Sequence, residues 1–218
     1  MPTSRQERAL RRAGFRAVAG VDEAGRGSLF GPVFAAAVVL DPERLIRGLD
    51  DSKALEADRR ETLAARIRER ARAWAVAGAD VFEIDRLNIL QASRLAMRRA
   101  VERLEPPCDC LLVDAISIET ELPQTALIHG DARCFSIAAA SILAKVARDH
   151  ALQAWHEVFP QYGLAENKGY STPGHLAALK RFGPTWLHRF SFEPVRVSGE
   201  RQVWTGYPLR AGALFACL

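Results

Sequence analysis

Residues 20–27 read Gly20-Val21-Asp22-Glu23-Ala24-Gly25-Arg26-Gly27, two acids closing an apolar run at the start of a glycine-rich loop. An unpaired ionised carboxylate is costly to remove from water, so acids at the end of an apolar run point to chemistry rather than packing. Glycines on either side of Arg26 let the backbone come close to another molecule. The octapeptide predicts metal-binding acids beside a loop that touches a phosphate-bearing ligand.

The flanking segments predict the frame that carries it. Ala17 to Asp22 and Val33 to Leu40 are short apolar runs bounded by Gly and Pro, which suit buried strands better than helices. Ala75 to Val81 reads as a third strand, and three strands with short connections predict an antiparallel meander. Between the second and third, Asp58 with Glu61 resembles a capping box, followed at helical spacing by Leu63, Ile67, Ala71 and Trp74. A second helix is expected from Glu83 to Leu104, stopped by Pro106-Pro107. Cys110 to Asp114 and Thr125 to His129 read as further strands. Ser136 to Ala147 is apolar nearly all round and so predicts a buried central helix. Strand and helix alternate here, which argues for a parallel half of an α/β sheet. Thr172-Pro173 has the chemistry of a helix start, and Gly183-Pro184 stops that helix after Phe182.

The 218 residues suffice for one large domain, and 49% hydrophobic with 26% charged residues is the balance of a folded globular protein. No stretch approaches the roughly 20 apolar residues that span a bilayer, and the arginine-rich residues 1–16 lack the hydrophobic segment of a secretory signal. No membrane partner is expected, and a cytoplasmic location is. Four cysteines, Cys108, Cys110, Cys134 and Cys217, form no zinc-like pair and are expected to be reduced thiols. The net charge is +4, and 26 of the 30 basic residues are arginine, a balance that favours polyanionic partners. Of these, Arg59, Arg60, Arg66, Arg68, Arg70 and Arg72 lie on what reads as a solvated helix face.

Asp22, Asp114 and Asp131 each close a predicted strand, and Glu23 follows the first. Acids at the ends of neighbouring strands converge on one edge of the sheet, where open α/β sheets place ligands. Oxygen donors without a His or Cys cluster suit hard cations such as Mg²⁺ or Mn²⁺. Two ions about 3.5–4 Å apart would make a phosphodiester-hydrolysing site. Neighbours in a regular strand face opposite ways, so a shared metal needs the strand to end or bulge at Asp22-Glu23.

Three blocks carry a resemblance. Residues 20–27 with Gly31-Pro32-Val33 and Asp51-Ser52-Lys53 form the first. Gly130-Asp131-Ala132, running into Ser136 to Ala147 and then Arg148-Asp149, is the second. The third is Lys168-Gly169-Tyr170-Ser171-Thr172 with His175, then Gly183-Pro184-Thr185 and His188-Arg189 with Ser191-Phe192. In this order, over roughly residues 15 to 196, the chain resembles the ribonuclease HII family.

The resemblance implies a ribonuclease H-like fold: a central mixed five-stranded sheet flanked by helices, with a short helical C-terminal region. It implies a catalytic domain over 1–197, in which about 150–197 form a substrate-binding region, and leaves 198–218 as an unassigned tail. The implied activity is metal-dependent cleavage of RNA in RNA/DNA hybrids and 5′ to single ribonucleotides in duplex DNA, leaving 3′-hydroxyl and 5′-phosphate ends. By the same resemblance Asp22, Glu23, Asp114 and Asp131 would hold Mg²⁺ or Mn²⁺, and Gly25, Arg26 and Gly27 would read the ribose 2′-hydroxyl. Tyr170 would stack on the sugar that follows it. Lys53, Lys145, Lys168 and Arg189 would be phosphate contacts or structural ion pairs, and His129, His175 and His188 structural histidines. Where the family carries glycine after the third acid, this chain has Ala115; Asp114 is assigned by its strand-end position and its spacing from Asp131, with Glu119 a weaker substitute. A monomer is expected. The alternatives are another nuclease on the same fold and a non-catalytic nucleic-acid binding module.

Overall fold

The computed structural model describes residues 2–200; from residue 201 on, the expected tail and its Cys217 lie outside the described residues. After a short helix α1 (Arg5–Arg12) come β1 (Val18–Ala24), β2 (Val33–Val39), α2 (Ala57–Arg70) and β3 (Ala73–Ala79). There follow α3 (Val81–Leu87), α4 (Ile89–Glu102), β4 (Cys110–Asp114), β5 (Gln124–Leu127) and α5 (Phe135–Val158). A 3-10 turn at Pro160–Tyr162 then leads to α6 (Leu164–Asn167), α7 (Pro173–Phe182) and α8 (Glu193–Arg196).

The strands form one sheet in the order β3-β2-β1-β4-β5. The expected meander is present, since β1 to β2 and β2 to β3 are antiparallel, and so is the parallel half, from β1 through β4 to β5. All seven residues of β2 are buried because both faces of the sheet are covered. Val33, Ala35, Ala37 and Val39 pack with Ala92, Ala96, Met97 and Ala100 of α4. Ala36 and Val38 turn the other way, toward Leu63 and Ile67 of α2 and Ala139 to Leu143 of α5. Small residues let α5 lie directly on the sheet: a Cβ at Gly20 would stand 2.1 Å from the Ser136 carbonyl carbon. A separate apolar cluster holds the C-terminal helices together, with Leu29 and Phe30 packed among Leu152, Phe159, Tyr162, Leu164, Leu179, Leu187 and Val195.

Several expected boundaries move, each for a local reason. The helix α2 is not capped by Asp58 and Glu61; its N-cap is Glu56, which makes no side-chain cap bond. It ends at Arg70 because Ala71 turns extended (ψ 149°), so Trp74 belongs to β3 and its indole donates to the Arg68 carbonyl at 3.2 Å. The capping box is instead Asp80 with Glu83, their side chains accepting each other's backbone N–H at 2.9 and 3.0 Å. The helix expected over 83–104 is two helices broken at Asn88, which adopts φ 72° and caps α4 through Leu90 and Gln91 N–H groups. Asparagine tolerates that left-handed conformation better than most residues. The central helix runs on three turns past Ala147, since Leu152 and its neighbours find the second apolar cluster to pack against. Cys108, Cys110 and Cys134 are free thiols, as expected, with burial pushing Cys108 up to about 11 and Cys134 up to about 12. No helix among the described residues is long and apolar enough to cross a membrane.

Candidate active site

The strand β1 does not end at the acid pair. It stays paired with β2 through Ala24, Asp22 opposite Ala36 and Glu23 opposite Ala35. Alternation is therefore preserved: Gly20 faces α5 and Asp22 meets Ser141 there, whereas Val21 faces the α4 core. Glu23 leaves the sheet on the side of Val21. The two carboxylates stand back to back at the carboxyl end of β1, and each still feels Asp114. That proximity follows from the parallel register, in which Val113 pairs with Val21, so that Asp114 ends β4 beside Asp22.

Asp131, expected at a strand end, lies instead in the loop between β5 and α5, because β5 closes at Leu127. What brings it back is Asp114, whose Oδ1 accepts the Gly130 N–H at 2.7 Å and so pins that loop to the end of β4. Ala115, in the family's glycine position, has φ 55°, a left-handed conformation costing an alanine roughly 1–2 kcal/mol. The left-handed backbone that glycine would supply is kept. Glu119 is exposed and pairs with Arg98 at 3.7 Å on the surface of α4.

The electrostatics are those of an over-supplied acid cluster. Burial raises the Asp22 pKa well above its ordinary value, and the carboxylates of Glu23 and Asp114 raise it further. Burial likewise raises Glu23, with Asp114 adding and Arg26 opposing; Arg26 Nη1 lies 3.3 Å from Glu23 Oε1. Asp131 is raised by burial, then by Asp51 and Asp114. Desolvation pulls Lys53 down, but Asp51, Asp131, Asp22 and Asp114 outweigh it and hold the ammonium above its usual range. Its Nζ lies 4.0 Å from Asp131 Oδ2. Asp51 is thus a member of the cluster that sequence reasoning quoted but did not assign.

Ser52 and Ser141 extend the cluster inward, their hydroxyls 2.9 Å apart. An ionised carboxylate only accepts, so Ser141 donates to Asp22 and Ser52 must donate to Ser141. Among the described residues no three His, Cys, Asp or Glu side chains converge as a ready-made metal set. The donors nevertheless fit a hard cation. They are all oxygen, they repel one another, and Glu23 Oε2 is buried without a hydrogen-bond partner.

Beside the acids, Gly25 has φ 93°, and a Cβ there would stand 1.9 Å from Arg148 Nε. Gly27 faces Tyr170, whose Cε1 would be 3.7 Å from its Cβ. Tyr170 is 41% exposed, open to a ligand rather than packed in the core. Lys168 is half-buried in a left-handed turn (φ 50°) immediately before Gly169. Lys145 is held 2.6 Å from Asp149 Oδ1 in an ion pair. Arg189 corrects the expectation of a phosphate contact: at 0% exposure it cannot reach one, and its guanidinium donates to the Gly31 and Arg26 carbonyls at 2.9 and 2.8 Å. Arg148 carried no expectation; the available signal was an arginine closing a mostly apolar helix stretch.

His175 and His188 are buried as expected, with Nε2 atoms 3.1 Å apart. The tautomers follow from the partners. Thr185 N–H donates to His188 Nδ1 at 2.9 Å, so His188 carries its proton on Nε2 and donates to His175 Nε2. His175 then donates from Nδ1 to the Tyr170 carbonyl at 3.0 Å. His129 lies on the loop before Asp131 with φ 55° and makes no bond to it among those recorded for the described residues.

Burial lowers the His175 pKa, so the unfolded chain binds the extra proton and stability falls as pH drops through about 6.5. His175→Asn keeps a donor near the Nδ1 position. The melting-temperature advantage of wild type over it should be largest near pH 7.5 and close by pH 5.5; a constant gap in thermal unfolding would count against this account.

A mixed five-stranded sheet between helices, with acids at the carboxyl ends of its neighbouring parallel strands, defines the ribonuclease H-like class of α/β proteins. The family model described as Ribonuclease HII matches residues 19–195. A ribonuclease HII of Solibacter usitatus (strain Ellin6076) is 65% identical over 190 residues, covering 87% of this chain and 83% of the relative. One of Koribacter versatilis (strain Ellin345) is 52% identical over 200 residues, covering 92% and 79%. Among solved structures, the ribonuclease H2 of Pyrococcus horikoshii OT3 superposes with a TM-score of 0.71 at 27% identity, covering 84% of this chain and 97% of that one. The chain belongs to the ribonuclease HII family and is an endonuclease of the ribonuclease H class.

Proposed function

We propose that the protein cleaves RNA in RNA/DNA hybrids and incises duplex DNA 5′ to a single embedded ribonucleotide, using Mg²⁺ or Mn²⁺ and leaving 3′-hydroxyl and 5′-phosphate ends. The observation that carries this reading is the buried or half-buried, mutually repelling set Asp22, Glu23, Asp114 and Asp131 beside a glycine loop packed on an exposed tyrosine. Divalent ions there would neutralise the acids and supply Lewis acidity and a water of lowered pKa.

The chain's own groups do the rest. Asp22 is oriented by the Ser52–Ser141 relay, and Asp131 by the Ala132 N–H at 2.8 Å. Lys53 keeps its proton at working pH and offers a cation to the phosphate beside Asp131. Gly25, Arg26 and Gly27 read the 2′-hydroxyl through the backbone, the group that separates RNA from DNA. Tyr170 stacks on the next sugar, and Lys168 borders the same face. Residues from about 150 to 197 act as the substrate-binding region, although α5 itself runs unbroken across residue 150. The enzyme works as a monomer in the cytoplasm, in keeping with its buried free thiols.

The test is a labelled DNA duplex with one ribonucleotide, incubated with Mg²⁺ or Mn²⁺ and resolved at single-nucleotide length. Incision on the 5′ side is expected; an uncut duplex refutes the reading. Tyr170→Ala should lower kcat/KM on this substrate by about 10-fold or more, since base or sugar stacking contributes roughly 1–3 kcal/mol. The loss on a long hybrid should be smaller, and equal losses would reduce Tyr170 to packing.

A further inference from the structure

Two arginines lie under the substrate face, Arg148 at 2% and Arg189 at 0% exposure. Neither forms a salt bridge with a carboxylate among the described residues. Arg148 Nε and one Arg189 Nη2 are buried without hydrogen-bond partners. A buried cation without a direct carboxylate partner is expensive, and Asp149 and Asp85 act on these two only from a distance. Packing alone therefore does not account for them.

Their bonds go to main-chain carbonyls of the two segments proposed to read the substrate. Arg189 donates to Arg26 and Gly31, on the glycine loop and just beyond it. Arg148 lies against Gly25, donates to the Lys168 carbonyl at 3.0 Å and sits 5.9 Å from the Tyr170 ring centre. It also reaches the Phe30 carbonyl at 3.4 Å. A backbone bond from Leu29 N–H to the Gly169 carbonyl, 2.8 Å, joins the same two segments. In a trans peptide, C=O and N–H point in opposite directions. Drawing the Arg26 carbonyl inward therefore turns the Gly27 N–H outward, and among the described residues that N–H has no partner.

We propose that Arg148 and Arg189 are positioning residues for substrate recognition, a buried guanidinium clamp that sets the spacing between the Gly25–Gly27 loop and Tyr170 and presents the Gly27 N–H to the ligand. The inference rests on the function proposed above. The spacing matters most where both readers must engage at once, at an RNA-to-DNA junction one nucleotide long. Inside a long RNA stretch a slightly displaced loop still meets a 2′-hydroxyl.

Arg189→Lys retains the charge but loses the fork whose Nε and Nη1 hold two carbonyls, and Arg148→Lys retains it but loses the planar Nη2 that bridges the Phe30 and Lys168 carbonyls. Each is tested by kcat/KM on the single-ribonucleotide duplex and on a long RNA/DNA hybrid, with thermal unfolding alongside. Loss of an outer supporting group commonly costs 10–100-fold. A fall of about that size is expected on the single ribonucleotide, with a loss on the hybrid at least about 5-fold smaller, in whichever variant folds. Equal losses on both substrates, or no loss on either, overturn the clamp. If wild type fails to incise at a single ribonucleotide, the proposed function fails instead. A wild type that cuts both substrates and variants that keep its ratio sink the clamp alone.

Discussion

Asp22→Asn is expected to remove cleavage while leaving the protein at least as stable as wild type. Loss of an outer-shell partner alone commonly costs 10–100-fold, so loss of a central carboxylate should exceed about 10²-fold. Asparagine preserves the acceptor for the Glu23 N–H, which Asp22 Oδ1 receives at 2.7 Å, so the local backbone keeps its bond. The stability effect has the opposite sign to the activity effect. Because the folded-state pKa of Asp22 lies well above its ordinary value, the folded protein holds its proton more tightly than the unfolded chain. Stability contributed by that proton is present below about pH 4 and lost as pH rises through the raised value.

At neutral pH without metal, wild-type Asp22 is therefore a liability that asparagine removes. Added Mg²⁺ or Mn²⁺ should raise the melting temperature of wild type more than that of the variant. Thermal unfolding with and without the ion, together with single-turnover cleavage, checks both halves. A variant that cuts at the wild-type rate would remove Asp22 from the site. One that melts well below wild type in the absence of ion would contradict the electrostatic argument.

Gly20→Ala should be the most destabilising single methyl in the sheet. Its Cβ would stand 2.1 Å from the Ser136 carbonyl carbon, 2.3 Å from its oxygen and 2.3 Å from the Ile137 nitrogen. These are backbone atoms of α5, which cannot rotate aside as a side chain could. Overpacking a core costs roughly 1–3 kcal/mol, occasionally more, and a rigid helix places this case at or above about 3 kcal/mol. For a chain of this length that is a fall of about 6–12 °C in melting temperature. Because α5 carries Ser141 against Asp22, activity of the folded fraction should fall too. Gly174→Ala is the control: nothing lies within 4 Å of its Cβ, and its melting temperature should match wild type within about 2 °C. A Gly20→Ala protein that melts with the control would show that α5 can yield.

Much of the scaffold was legible in short windows of sequence. The runs at 17–22 and 33–40 announce strands because apolar residues bounded by Gly and Pro satisfy the strand requirement locally. Trp74 shows the limit of that logic, since it continues the period of α2 yet belongs to β3. Periodicity cannot see where an extended residue such as Ala71 turns the chain. Asn88 is a similar case: only the left-handed backbone there divides α3 from α4.

Of the candidate site, the sequence by itself proposed the acids Asp22, Glu23, Asp114 and Asp131, the glycine loop and Tyr170. These are set by residue type within contiguous blocks, where chemistry and backbone need are written side by side. Only the tertiary structure placed Asp114 beside Asp22 and Glu119 on the surface against Arg98, moved Asp131 into a loop held by Asp114, and brought Asp51 into the acid cluster. It alone showed Arg189, expected as a phosphate contact or an ion pair, to be buried beside Arg148 and bonded to the Arg26 carbonyl. Burial and partnership belong to segments far apart in the chain, Arg26 and Arg189 among them. No local pattern carries that information until the sheet and its covering helices bring them together.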